Sequence, residues 1–191
     1  SAASDVYKRQ RLPPQIVARG YCRSSIGRVS HLPVLRLAPV KENRNNCPFL
    51  TENHCAIHEA EPLVCALYPL AQEISRAGEV SYFLQPTGCG GRVIEAKVED
   101  YLARYDVPAR EKTDVRWAQT CMALEDTVEQ LEAVLGPVLV RRMQAKLWQA
   151  LYFGYDYAQD YLPQLEANLR TLDTELHKLT EYQKKRNNSS K

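Results

Sequence analysis

Apolar and polar positions divide the chain into a first half of short pieces and a second half with helical spacing. From Arg92 onward the period is helical, and Val93 to Tyr105 fits one helix. Thr113 or Asp114 can cap the next, because a side-chain oxygen there accepts from an otherwise unpaired N–H of the first turn. On that helix Leu124, Val128, Leu131 and Leu135 recur at steps of four, three and four, which places them on one face. Gly136-Pro137 ends it. Pro137 suits the first turn of another helix, on which Val140, Met143, Leu147 and Leu151 continue the apolar face. Leu162, Leu165, Leu169, Leu172, Leu176 and Leu179 then alternate steps of three and four without a miss. This seam is shorter than the three to four heptads that mark a coiled coil, so it predicts an amphipathic helix packed on its own domain. A homodimer through Leu162–Leu179 is the alternative. Residues 183–191 are polar and basic and are expected to fray into a disordered tail.

The first half is less periodic. Residues 1–10 look foreign to the rest, resembling a translated sequencing adaptor, and are read as a non-native leader with the native start missing behind it. Residues 11–30 are basic without a clear period. His31 to Val40 alternates better and suggests a short strand bounded by prolines. Lys41 to Asn46 is a polar turn. Pro48, Pro62 and Pro69 cut Cys47–Leu70 into pieces too short for a long helix. Val80–Leu84 reads as a second strand, and Pro86 to Gly91 sets three glycines around Cys89. The expected fold is α+β, mainly α: a knot of loops and short strands over residues 11–91, followed by an antiparallel helical region, 92–182, packed on it.

Composition narrows the function classes. The 191 residues include 25 Lys+Arg and 23 Asp+Glu, a net charge of +2, which argues against a dedicated nucleic-acid binder. The apolar fraction of 45 % and charged fraction of 25 % are those of an ordinary globular protein. No apolar run approaches the roughly 18–20 residues that cross a bilayer, and no secretory leader is evident. The expectation is a cytoplasmic protein with neither a membrane nor a nucleic-acid partner.

Six cysteines are too sparse for a disulfide scaffold, yet four of them, Cys47, Cys55, Cys65 and Cys89, are clustered. In a reducing compartment such a cluster points to metal or redox chemistry. Thiolate sulfur suits zinc and iron–sulfur centres, and four thiolates satisfy either. His54 and His58 stand in the same segment; imidazole could replace a sulfur, but four sulfurs already complete a site. Ordering this proline-cut segment costs about 1–2 kcal/mol per residue in backbone entropy, and a bound metal can offset it because its binding energy is folding energy. Cys121, beside Met122, reads as a core residue; Cys22 is isolated.

The run Cys47-Pro48-Phe49-Leu50, Cys55-Ala56-Ile57-His58, Glu61-Pro62-Leu63-Val64-Cys65 and Tyr68-Pro69-Leu70, with Pro86-Thr87-Gly88-Cys89-Gly90-Gly91 after it, resembles the bacterial and archaeal cysteine-cluster proteins of YkgJ type. These are described as zinc- or iron-chelating domains. The resemblance covers roughly residues 31–100 and implies that Cys47, Cys55, Cys65 and Cys89 ligate Zn2+ or an iron or iron–sulfur centre. The family's leading Cys-x-x-Cys-x-x-Cys-Cys-like cluster is not in this chain. Glu61, Ala66 and His58 stand where the family often has Arg, Arg and Tyr.

The same signature occurs in flagellin lysine-N-methylase, which makes a protein-modifying methyltransferase the alternative function. Against it, no glycine-rich nucleotide loop follows a strand. A thioredoxin-like mechanism lacks its Cys-x-x-Cys pair. The aromatic stretch Tyr152, Phe153, Tyr155, Tyr157 and Tyr161 reads first as packing between helices and second as a place for a protein partner or organic substrate. Glu95, Glu99 and Asp100 read as a solvated helix face.

Overall fold

The computed structural model describes residues 14–39, 47–52, 54–58, 62–86, 97–104, 106–156 and 158–189. Helix α1 (Pro14–Tyr21) leads into strand β1 (Cys22–Ile26), which pairs antiparallel with β2 (Pro33–Leu37). A second hairpin joins β3 (Leu50–Thr51) to β4 (His54–Cys55). After the short helix α2 (Leu63–Ala66), β5 (Leu70–Ile74) and β6 (Val80–Leu84) form a third. Helices α3 (Val98–Arg104), α4 (Val107–Glu132) and α5 (Pro137–Trp148) follow. The chain then makes a π-helical turn over Gln149–Phe153 and finishes in α6 (Tyr161–Ser189). The fold is thus α+β and mainly α, with three two-stranded sheets among the described residues.

Two compact units are distinguished, one built on Pro39–Met122 and the other on Leu12–Ala38 with Ala123–Lys191. The early segment therefore belongs with the C-terminal helices and not with the cysteine-bearing stretch. Its attachments give the reason. Leu32 is 4 % exposed. Gln144 Nε2 donates to His31 O (2.9 Å) and Tyr152 OH to Pro33 O (3.1 Å), so α5 and the π-turn hold the β1–β2 loop from one side. His31 Nδ1 donates to Glu132 Oε2 at the end of α4.

In this unit the leucine seam of α6 faces inward. Leu165 has no exposure, and Leu172, Leu176 and Leu179 are buried with Met143 and Leu147 of α5. Each such side chain contributes about 1.5–3 kcal/mol relative to exposure. Gly136 caps α5 in an extended conformation with Pro137 in its first turn, as the sequence predicts. On α5 it is Leu139, 2 % exposed, that is buried, while Val140 is half-buried.

Three boundaries differ from expectation. Helix α4 begins at Val107, so Thr113 and Asp114 lie inside it and cap nothing. The break falls instead at Asp106, in left-handed backbone (φ 53°), and Pro108 is harmless because first-turn N–H groups have no intrahelical partner. Helix α3 is observed from Val98; residues 93–96 lie outside the described part. Helix α6 continues through Ser189, where a disordered tail from 183 was expected. Glu181–Lys184 and Gln183–Asn187 side-chain pairs run along that last stretch, and Lys, Gln and Arg are good helix formers.

Lys178 Nζ donates to Glu175 Oε1 at 2.7 Å and Lys146 Nζ of α5 lies 2.9 Å from Oε2. Together they push the Glu175 carboxyl down to about 2. A depressed carboxylate adds stability above its unfolded value, near 4.3, and the contribution disappears as pH falls through the folded one. NMR titration of Lys146→Gln/Lys178→Gln should find Glu175 back near the ordinary glutamate value, with the pH-dependence of stability between about 4.5 and 2 correspondingly weaker.

Candidate metal centre

Cys47 opens a tight turn: Leu50 N donates to Cys47 O (3.1 Å) and Phe49, between them, is 5 % exposed. Leu50 then pairs across the small hairpin with Cys55, and Thr51 with His54. Glu52 takes φ 46° in the connection, and Ala56 N donates to Phe49 O (2.7 Å) beyond the pair. The β3–β4 hairpin, fastened by the buried Phe49, thereby brings Cys47 and Cys55 onto one small backbone unit. Cys47 is exposed and Cys55 half-buried. Strand alternation sends His54 and Cys55 to opposite faces, and His54 is exposed, so these neighbours do not share a side.

Cys65 sits on α2, whose entry is set by Pro62 in extended backbone. Ala66 and Leu67 anchor this turn inward, 4 % and 3 % exposed, and leave Cys65 exposed. The Tyr68–Pro69 bond is cis. Tyr101 OH of α3 donates to Tyr68 O at 2.6 Å, holding the turn from outside. Tyr101→Phe is expected to lower stability by about 0.5–1.5 kcal/mol in urea unfolding. Beyond α2 the β5–β6 hairpin closes with Gln85 N donating to Pro69 O (2.9 Å) and Gln85 Nε2 to Leu70 O (3.2 Å). Cys65 precedes Pro69 by as many residues as Cys89 follows Gln85. Cys89 itself lies outside the described residues.

Among the described residues no three His, Cys, Asp or Glu side chains are gathered so as to hold a metal ion. Cys47, Cys55 and Cys65 are thus present with thiols open to solvent to different degrees, but not as a closed triad. Cys22 belongs to the other unit, on β1 opposite Leu37, where burial pushes its thiol up and away from the thiolate form. Cys121 is half-buried on α4.

Other polar arrangements were invisible in the sequence. Gln72 Nε2 donates to Tyr82 OH (3.0 Å), which donates to Glu111 Oε2 (3.2 Å). Burial, together with the charges of Glu111 and Asp114, pushes the Tyr82 phenol up, so it stays protonated. Gln72 and Tyr82 are cross-strand partners, a signal available only once the β5–β6 register is known. A hollow of about 240 Å³ lies against α2 and β5, lined by Leu63, Val64, Leu67, Leu70, Gln72 and Gln85 with no titratable side chain. The aromatic stretch packs on itself. Trp148 stacks on Phe153 with centroids 6.0 Å apart, and Tyr155 on Tyr161 at 5.1 Å. Gly154 is required there, because a Cβ would meet Gln149 O at 2.8 Å and the Asn168 amide at 3.0 Å. Tyr157 lies outside the described residues.

No family model, curated protein or solved structure matches the chain. No helix among the described residues is long and apolar enough to cross a membrane.

Proposed function

We propose that this is a metal-binding protein of the cytoplasm that holds zinc or an iron–sulfur centre through Cys47, Cys55, Cys65 and Cys89. The observation that supports it most is the backbone arrangement: Cys47 precedes the β3–β4 hairpin, Cys55 lies in its second strand, and Cys65 stands just before the β5–β6 hairpin. The donor set fits a soft or borderline ion in kind, since all four groups are thiols. Cys47, Cys55 and Cys65 do not stand gathered as a ligand set; in this reading the ion draws them together, because its binding energy is folding energy. When bound, the ion supplies a clamp on the Pro39–Met122 unit; the chain's own part is to present reduced thiolates on short, proline-limited pieces.

Anaerobic purification followed by zinc, iron and sulfide analysis and an absorption spectrum tests this. The expected result is close to one centre per chain, either colourless with zinc or brown with iron and sulfide. Protein free of metal under these conditions contradicts the reading. Methyl transfer from labelled S-adenosylmethionine to flagellin or another protein would favour the methylase alternative instead.

A further inference from the structure

We propose that the β1–β2 hairpin, with the end of α1, is a docking surface for an anionic lipid bilayer. The inference is independent of the metal centre, since it uses the other compact unit. Contact of this kind lies on the bilayer and needs no segment that crosses it. Between Pro14 and Pro39 the chain carries four arginines, Arg19, Arg23, Arg28 and Arg36, and no aspartate or glutamate. All four are exposed, and none is held in an ion pair or side-chain hydrogen bond among the described residues.

Arg23 and Arg36 stand directly opposite each other across the ladder. Like charges at facing positions weaken a strand pair. The arrangement is therefore costly to the isolated protein and becomes favourable beside a dense array of negative charge. Arg23, Ser25 and Arg36 are exposed on one face of the hairpin beside the half-buried Val34, whereas the other face carries the buried Pro33 and the half-buried Cys22, Leu35 and Leu37 with only Ser24 and Ile26 exposed, so the arginine face is the more open one. Three side chains tie the helices to this loop, Glu132, Gln144 and Tyr152; the single acid among them is engaged by His31.

Apolar side chains accompany the charge. Val29, next to Arg28 in the turn, is 84 % exposed, and Ile16 of α1 is 51 % exposed. Phosphate groups give these residues nothing, whereas a bilayer interface offers phosphate to the arginines and hydrocarbon to the aliphatic side chains. A single-stranded nucleic acid would call for stacking aromatics, and the lone aromatic of this stretch, Tyr21, is half-buried.

The full chain should co-sediment with phosphatidylcholine vesicles containing phosphatidylglycerol and not with phosphatidylcholine alone, and high salt should release it. Each arginine at such a surface contributes about fivefold in partitioning, so Arg23→Gln/Arg36→Gln should weaken it about 25-fold. Val29→Asp should weaken it about tenfold, by removing an inserted aliphatic group. Circular dichroism and the thermal midpoint check that the variants are folded; should the double variant not fold, Arg28→Gln and Val29→Asp carry the same test from the turn. Equal binding to both vesicles, binding to neither, or preferred binding of polyuridine or duplex DNA unaffected by Val29→Asp overturns the proposal.

Discussion

Leu165→Ala is expected to destabilise the protein by about 2–5 kcal/mol, the range for a fully buried leucine whose cavity only partly collapses. Leu165 has no exposure, and further along the α6 seam Leu172 and Leu176 are also buried. Leu162→Ala, at a half-buried position one step earlier in the same seam, should cost less than about 1.5 kcal/mol. Urea unfolding at two protein concentrations a hundredfold apart separates the readings of this helix. A core seam gives the same loss at both. A dimer seam makes stability itself concentration-dependent, because association stabilises by mass action.

The second large effect is at the cysteines. Cys55→Ser is expected to remove the bound metal and to loosen the segment around β3 and β4, while Cys22→Ser leaves metal content unchanged. The serine hydroxyl is a poor ligand for zinc or a cluster compared with a thiolate. Structural zinc in small domains contributes an apparent 10–16 kcal/mol or so, and losing one ligand of four forfeits much of it. Strands of two residues such as β3 and β4 are too short to form an independently stable hairpin, and Phe49 is buried beside them. Cys22 is the control because its thiol is held protonated by burial in a different unit. Metal retained at parental stoichiometry by folded Cys55→Ser contradicts its assignment as a ligand.

The helical half was legible because its apolar positions repeat. The α6 leucines place one helix, and the Gly136-Pro137 break falls between α4 and α5. The strand at Val80–Leu84 was legible, since Val, Tyr and Phe favour a pleated, half-buried surface. Its partner Leu70–Ile74 was not, because Ala, Gln and Glu are poor strand formers and only the hairpin register recruits them. Helix α1 and strand β1 were missed for a related reason. Cys22–Ile26 is exposed at four of its five positions, so it carries no alternation to read. The start of α4 was displaced because the real punctuation, a left-handed Asp106, leaves no more trace in sequence than any other aspartate. The π-turn at Gln149–Phe153 and the His31–Glu132 contact depend on tertiary packing over long separations and have no local signature.

For the candidate site the cysteines were legible in the sequence, and the fold adds which elements carry Cys47, Cys55 and Cys65. The β3–β4 hairpin lies between Cys47 and Ala56 and includes Cys55, and the β5–β6 hairpin follows Cys65 and closes at Pro69 and Gln85. Proline at 48, 62 and 69 made the pieces short; it did not say that two of them would be hairpins.

X-ray absorption at the metal edge of the anaerobically purified protein tests the central claim most directly. The expected spectrum has a first shell of sulfur, at about 2.3 Å for zinc, and thiolates in the number of the four cysteines. A first shell made of nitrogen and oxygen, or the absence of any bound metal to excite, contradicts it.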